Sequence, residues 1–284
     1  PNYAMACNIV AAVLNILLDY LFIFPFQWGM FGAALASAIG TTIGALMVLG
    51  YLARRRCALR FYPVKLSINS LKLTCRNIGY MCRLGSSAFL CEIAIACMMF
   101  VGNQVFIRYL REDGVAAFSI ACYFFPIIFM VYNAIAQSAQ PIISYNHGVN
   151  EAERVRKAYL LALKTAVVCG LLFSTVTILF SSDIAALFVD RGNAAHTIAT
   201  EGLPLYATGF IFFAVNIVSI GYFQSIERAK SAFVITLLRG FILLTACFFG
   251  LPLILGEKGI WLATPLAEFL TMLFVIAIFV AKRK

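Results

Sequence analysis

The sequence predicts an all-α polytopic membrane protein, and three observations lead there. Of its 284 residues, 63% are hydrophobic and only 12% charged, against roughly 45–50% and about 25% in soluble domains. Mean hydropathy is +0.93, more apolar surface than a soluble core can bury. The apolar residues also gather into eight stretches, at about 3–24, 29–53, 85–108, 115–140, 155–180, 203–224, 231–254 and 259–281. Each is near the ~20 helical residues that cross a hydrocarbon core of ~30 Å.

The loops orient these spans. With the end of the first span near Pro25 placed outside, 18 of the 22 basic residues fall on the inner side and four (Arg108, Arg111, Arg191 and Lys258) on the outer. That is a positive-inside bias, and it puts the carboxyl terminus in the cytoplasm of a cell with the chain in its plasma membrane. The net charge of +10 is scattered between apolar spans rather than clustered, which fits loop orientation and argues against a nucleic-acid partner.

The second and third spans are joined by the longest link, "RRRCALRFYPVKLSINSLKLTCRNIGYMCRLG". Ile68, Leu71, Cys75, Ile78 and Cys82 recur at three- and four-residue steps, while Lys65, Lys72, Arg76 and Arg83 form a basic stripe. The pattern predicts an amphipathic helix lying on the membrane surface, with an ordinary basic linker as the alternative. Three regions follow: 1–55, 56–83 and 84–284. "GMFGAALAS" at Gly29 and "GEKGIWLAT" at Gly256 share GxxGxxLA[ST], each opening a span that enters from the outside. Such internal repeats are common in transporters. If the last two spans mirror the first two, residues 1–55 close one six-helix lobe and 84–284 form a complete second. Four further helices are then expected before Pro1, twelve in all.

Polar residues inside the spans carry the functional signal. "NIVAAVLNILLDYLFIF" places Asn8, Asn15 and Asp19 in an otherwise apolar run. At 100° per residue the three share an arc of about 40°. An acid at mid-membrane costs ~2.5–3.5 kcal/mol on insertion scales, so it normally faces protein or a water-filled cavity. Glu92 lies about two turns inside the third span and Glu268 one turn past "LATP" in the last. Glu268 either faces a cavity or is paired with a neighbouring polar helix. Asn133, Gln137 and Gln140 recur at four- and three-residue steps, a polar face for a cleft or for hydrogen bonding between helices.

The order "LNILLDYLFIF", "GMFGAALASAIG", a six-span unit, "AQPIISYNHG" and "GIWLATPLAE" resembles the multidrug and toxic compound extrusion (MATE) family. The resemblance covers essentially the whole chain, as the fifth to twelfth helices of a twelve-helix antiporter. It implies two six-helix lobes around a cleft open alternately to each side. It also implies drug resistance through export of small organic, often cationic, compounds in exchange for Na⁺ or H⁺, with no other cofactor. Asn15 and Asp19 match the family's Asn-x-x-x-Asp pair in a cation-coupling site, which Asn8 would extend. Oxygen ligands suit Na⁺, and a buried carboxylate can instead carry a proton. Ser37 matches a hydroxyl residue near that site, although small-residue packing also accounts for it.

Glu92 matches an acid on the family's seventh helix that handles cation or substrate in some branches. Its usual acidic partner on the tenth helix is absent, and Tyr206 and Asn216 are the polar residues that span offers. This departure weakens a metal-ion role for the second lobe and leaves proton exchange or attraction of cationic substrates. The alternative within the superfamily is a lipid-linked saccharide flippase, which would need a strongly cationic cleft. Here the mid-span charges are Asp19, Glu92 and Glu268, with Arg239 the nearest exception. No CxxC, phosphate loop, zinc motif or converging nucleophile and base occurs among the residues, so a membrane antiporter is expected and an enzyme is not.

Overall fold

The structure, a computed structural model, describes residues 2–53 and 67–281. All regular structure among these residues is helical. The order is α1 (Asn2–Ile23), α2 (Gly29–Leu52), α3 (Ile68–Gly148), α4 (Ala152–Leu179), α5 (Ser181–Ala186), α6 (Ala194–Ala207), α7 (Phe210–Ser225), α8 (Ala229–Leu237), a π-helical segment (Leu238–Ile242), α9 (Leu243–Leu255) and α10 (Glu257–Ala281). Two compact units emerge, one ending at Leu73 and one beginning at Thr74.

In the first unit α1 and α2 form a hairpin. Gly32, Ala36, Gly40 and Gly44 stand four residues apart and face α1. A Cβ on Gly40 would lie 2.9 Å from the Ala11 carbonyl oxygen, and one on Gly32 would lie 2.8 Å from Phe22 Cβ. Backbones approach this closely only where side chains are absent, the usual device of helix association in lipid. The turn is tight: the Trp28 amide donates to the Phe22 carbonyl at 2.9 Å, and Gln27 (φ 55°) and Gly29 (φ 53°) lie in the left-handed region. Phe22 and Phe26 stack or tilt against Trp28 there, with ring centroids 5.1 and 5.4 Å away. Aromatic rings of this kind favour the membrane–water boundary.

The third and fourth expected spans lie in one 81-residue element, α3, which breaks at Arg111 (φ 56°, ψ −149°). Its arms fold back on each other. Phe106 and Phe118, on opposite sides of the break, stack with centroids 4.4 Å apart, and Gly102 lets the Phe118 ring reach the first arm. The link expected over 56–83 lies outside the described residues from 56 to 66. Its remainder is helical from Ile68 and runs without interruption into the first arm of α3.

α7 is the axis of the second unit. It is buried along most of its length and packs on α4 and α10. Phe213 (1% exposed) stacks on Phe125 at 4.7 Å and meets the edge of Tyr132 at 5.4 Å. The expected span 203–224 is broken, since α6 and α7 meet at 48°. The cause is local. At Gly209, between them, a Cβ would lie 2.9 Å from Pro265 Cα, so α10 presses into the joint. The sequence signals did not include α5 or the first two turns of α6.

Among the described residues, six helices are long and apolar enough to cross a membrane, and the α6–α7 pair makes a seventh candidate. Dividing α3 at Arg111 adds one more, which accords with the expected eight.

Candidate functional site

The polar stripe of α1 meets a hydroxyl from α2. Asn15 Nδ2 donates to Ser37 Oγ at 3.2 Å. The contact depends on the glycine seam, because Gly40, one turn beyond Ser37, lies against the Asn15 Cβ. Asp19 is half-buried, and its Oδ1 is shielded from solvent with no hydrogen-bond partner among the described residues. A buried acceptor left unsatisfied costs about 1–3 kcal/mol, more when charged. The oxygen therefore suits a ligand that brings positive charge. Asn8 is exposed and makes no side-chain hydrogen bond among the described residues.

The second unit holds two distinct polar arrangements. The first is an open cleft of about 340 Å³ between both arms of α3 and α7, lined in part by Glu92, Asn133, Gln137, Gln140 and Gln224. Gln140 Nε2 donates to Gln224 Oε1 at 3.0 Å, and Gln224 Nε2 donates to Ser87 Oγ at 2.8 Å. This ladder ties three segments together and orders one side of the cleft. Glu92 is exposed into the cleft and makes neither hydrogen bond nor ion pair among the described residues. It is the single charged residue of the lining. Gly221 lets α7 approach the second arm of α3, where a Cβ would lie 3.0 Å from that of Ala136.

The second arrangement is sealed. Glu268, on α10, is 3% exposed and Arg239, in the π segment, 5%. Arg239 Nη2 donates to Glu268 Oε1 at 2.7 Å, and Nε donates to Oε1 at 3.0 Å and to Oε2 at 3.3 Å. Asn216 Nδ2, on α7, donates to Glu268 Oε2 at 2.7 Å and to its backbone carbonyl at 2.9 Å. Arg239 also lies over the Phe213 ring at 4.6 Å, a favourable place for a desolvated cation. Of the two sequence readings of Glu268, the geometry is that of the structural pair. Asn216 belongs to this cluster, not to the cleft. Tyr206 is 3% exposed, donates to Met98 Sδ at 3.4 Å, and packs edge-on to Trp261 at 6.4 Å. It is part of the aromatic core.

Of the residues expected from sequence to handle substrate or protons, the structure gathers Glu92, Asn133 and Gln137 in one cleft and places Glu268, Tyr206 and Asn216 elsewhere, while Asn15 meets Ser37. Sequence reasoning missed Gln224 and Ser87, whose only signal was a polar residue near each end of an apolar run. No group of three or more His, Cys, Asp or Glu side chains able to hold a metal ion occurs among the described residues.

Comparison with known proteins adds the family. The MatE family model matches residues 88–248. Multidrug export protein MepA of Staphylococcus saprophyticus is 22% identical over 248 residues, covering 87% of this chain and 53% of MepA. Probable multidrug resistance protein NorM of Rhizobium meliloti is 26% identical over 270 residues, covering 89% of this chain and 56% of NorM. The chain thus spans somewhat over half the length of these curated relatives. A MOP superfamily transporter from Pyrococcus furiosus superposes with a TM-score of 0.84 at 20% identity, over 99% of this chain and 63% of that one. At that identity the likeness shows the fold alone.

Proposed function

The chain belongs to the MatE family of membrane transporters, and from that premise we propose that it forms part of a secondary active multidrug exporter. In this reading it works within a complete transporter of two six-helix lobes in the plasma membrane. Small organic compounds leave through a cleft open alternately to each side, and Na⁺ or H⁺ moving down its gradient resets the cycle. Residues 1–55 and 84–284 would supply parts of the two lobes. The observation that carries the proposal is the open cleft of about 340 Å³ with the unpaired carboxylate of Glu92 among amides. Amides can take the polar edges of varied ligands, and the lone acid gives a bias toward cations. A flippase for lipid-linked saccharides would ask for the opposite sign, and among the lining residues the charge is acidic.

Asp19, Asn15 and Ser37 are the proposed coupling group of the first unit. The orphaned Oδ1 of Asp19 and the oxygens of Asn15 and Ser37 are donors of the kind that a hard cation takes. The same carboxylate can hold a proton. Asn8, exposed and without a side-chain hydrogen bond among the described residues, would extend this group toward solvent.

The cleft reading is tested by dye export from cells carrying the complete transporter. Glu92→Gln keeps the size and polarity of the side chain but removes its charge. Efflux of a cationic dye should fall by about tenfold, the effect of ~1.4 kcal/mol of lost attraction. Efflux of a neutral dye should change less than about twofold. Equal loss for both dyes would mean that Glu92 acts on folding or coupling rather than on substrate charge.

Orientation has its own test. With the bias of basic residues placing the start of α3 in the cytoplasm, Ser70→Cys in a background without native thiols should resist an impermeant maleimide applied to intact cells. It should react once the membrane is opened. Labelling from outside would invert the topology.

A further inference from the structure

A second and larger groove lies away from the cleft, between the second arm of α3 and α4, with a volume of about 820 Å³. Its walls run antiparallel, because the chain turns tightly at Asn150 (φ 59°) and the Glu151 amide donates back to the Asn146 carbonyl at 2.9 Å. From Val131 to Asn146 on one wall, and from Arg154 to Cys169 on the other, each wall climbs about 22 Å at 1.5 Å per residue. That is close to one leaflet of a bilayer with its headgroup layer, half of ~40–45 Å.

The walls mix small side chains, Ala134, Ala139, Ala158 and Ala162, with aliphatic ones such as Ile135 and Leu161. Small residues usually let membrane helices touch, but here a trench remains between the two helices. The polar side chains in its body are turned inward. Ser138 donates to Ala134, Asn146 to Ile142 and Thr165 to Leu161, each to a carbonyl of its own helix at 2.8, 2.8 and 3.0 Å. The trench therefore offers a guest little but hydrocarbon until its end.

At that end stand Arg154 and Lys157, both exposed. Arg154 makes no ion pair among the described residues. Lys157 pairs with Glu153 at 2.7 Å, but both side chains are more than 70% exposed, and such i,i+4 surface pairs are worth only ~0.3–0.5 kcal/mol. Basic residues at the mouth of an apolar channel between membrane helices suit an anionic lipid headgroup.

We propose that this groove is a binding site for one anionic phospholipid, its acyl chain along the trench and its phosphate between Arg154 and Lys157. The proposal is independent of what the cleft transports. It commits to a lipid because the channel is one leaflet long, apolar throughout its body and basic at a single end.

The complete transporter, purified into phosphatidylcholine vesicles, provides the test. Trace phosphatidylglycerol or phosphatidylcholine, spin-labelled on the acyl chain, reports lipid held against the protein as a motionally restricted signal. Phosphatidylglycerol should be preferred by about fivefold or more, the contribution expected of one or two basic residues near a membrane surface. Arg154→Gln with Lys157→Gln should bring the ratio to about one. Ala139→Trp should also remove the excess phosphatidylglycerol signal by filling the trench, with Ser138→Leu as a milder filler should the tryptophan variant not elute as the parent does. Arg228→Gln with Lys230→Gln, basic residues outside the groove, should leave the preference intact.

Three results would overturn the site. One is a preference that survives both fillers, as it would if another protein segment covered the groove. Another is equal loss in the Arg228 and Lys230 variant, which would indicate diffuse surface charge. The last is competition by inorganic phosphate alone, which would make the ligand a free anion.

Discussion

Asp19→Asn in the complete transporter should reduce gradient-driven efflux to the level seen without a gradient, while expression and membrane insertion stay near those of the parent. The expected loss is large because the substitution preserves what packing needs and removes what coupling needs. Asparagine fills nearly the same volume on α1 and keeps a polar side chain there. It supplies no negative charge for Na⁺ and no carboxylate to take up a proton. The Oδ1 of Asp19 is buried without a hydrogen-bond partner among the described residues, so a structural role would leave that oxygen's desolvation uncompensated. In the proposed coupling role, binding and release of a cation there would change the local charge by one unit and so bias one of two helix packings over the other. Efflux should be measured with Na⁺ and pH gradients imposed separately, which also identifies the ion. Normal coupled export by a well-expressed Asp19→Asn protein would remove Asp19 from this role.

The second large effect concerns folding. Glu268→Gln leaves the Arg239 guanidinium, 5% exposed, without its counter-charge, and Arg239→Gln does the same to the carboxylate. Breaking one side of a buried pair typically costs about 3–5 kcal/mol. Either variant should therefore lose most of its monodisperse, heat-resistant fraction by size-exclusion chromatography. Replacing both partners by Arg239→Met and Glu268→Leu should recover much of it, since an apolar pair needs no desolvation. Asn216 keeps one acceptor in that background, the backbone carbonyl of residue 268 at 2.9 Å. Single variants as robust as the parent would show that the pair contributes little to the fold.

These two sites differ in how far the sequence disclosed them. Asp19 was conspicuous because helix periodicity alone puts it on one stripe with Asn15, whose partner Ser37 comes from the adjacent span of the same hairpin. The spans themselves were legible because hydropathy is a property of each segment. The pairing of Glu268 with Arg239 was not, since they lie on elements that could meet several neighbours, and the choice is made by packing around Phe213. The π segment at Leu238–Ile242 left no trace either. It changes backbone pairing without changing composition. The charged run "LREDG" marked a loop between two spans, and the structure turns there at Arg111 while keeping helical hydrogen bonding on both sides. Tyr206 and Asn216 shared one segment and one reading, but the bend at Gly209 sends them to different neighbours.

The closeness of Arg239 and Glu268 has a consequence for membrane voltage. A potential of 100 mV acts on a lone charge with ~2.3 kcal/mol if that charge crosses the whole hydrocarbon core. Opposite charges 2.7 Å apart can span at most about a tenth of a ~30 Å core. The field then grips the pair by no more than about 0.2 kcal/mol however it tilts, and carries it nowhere when it translates. In the proposed cycle, voltage would do work through Asp19, through Glu92 and through the cation exchanged there. It leaves the centre of the second unit electrically indifferent, so the rocking proposed above would move no net buried charge of the Arg239–Glu268 pair through the field.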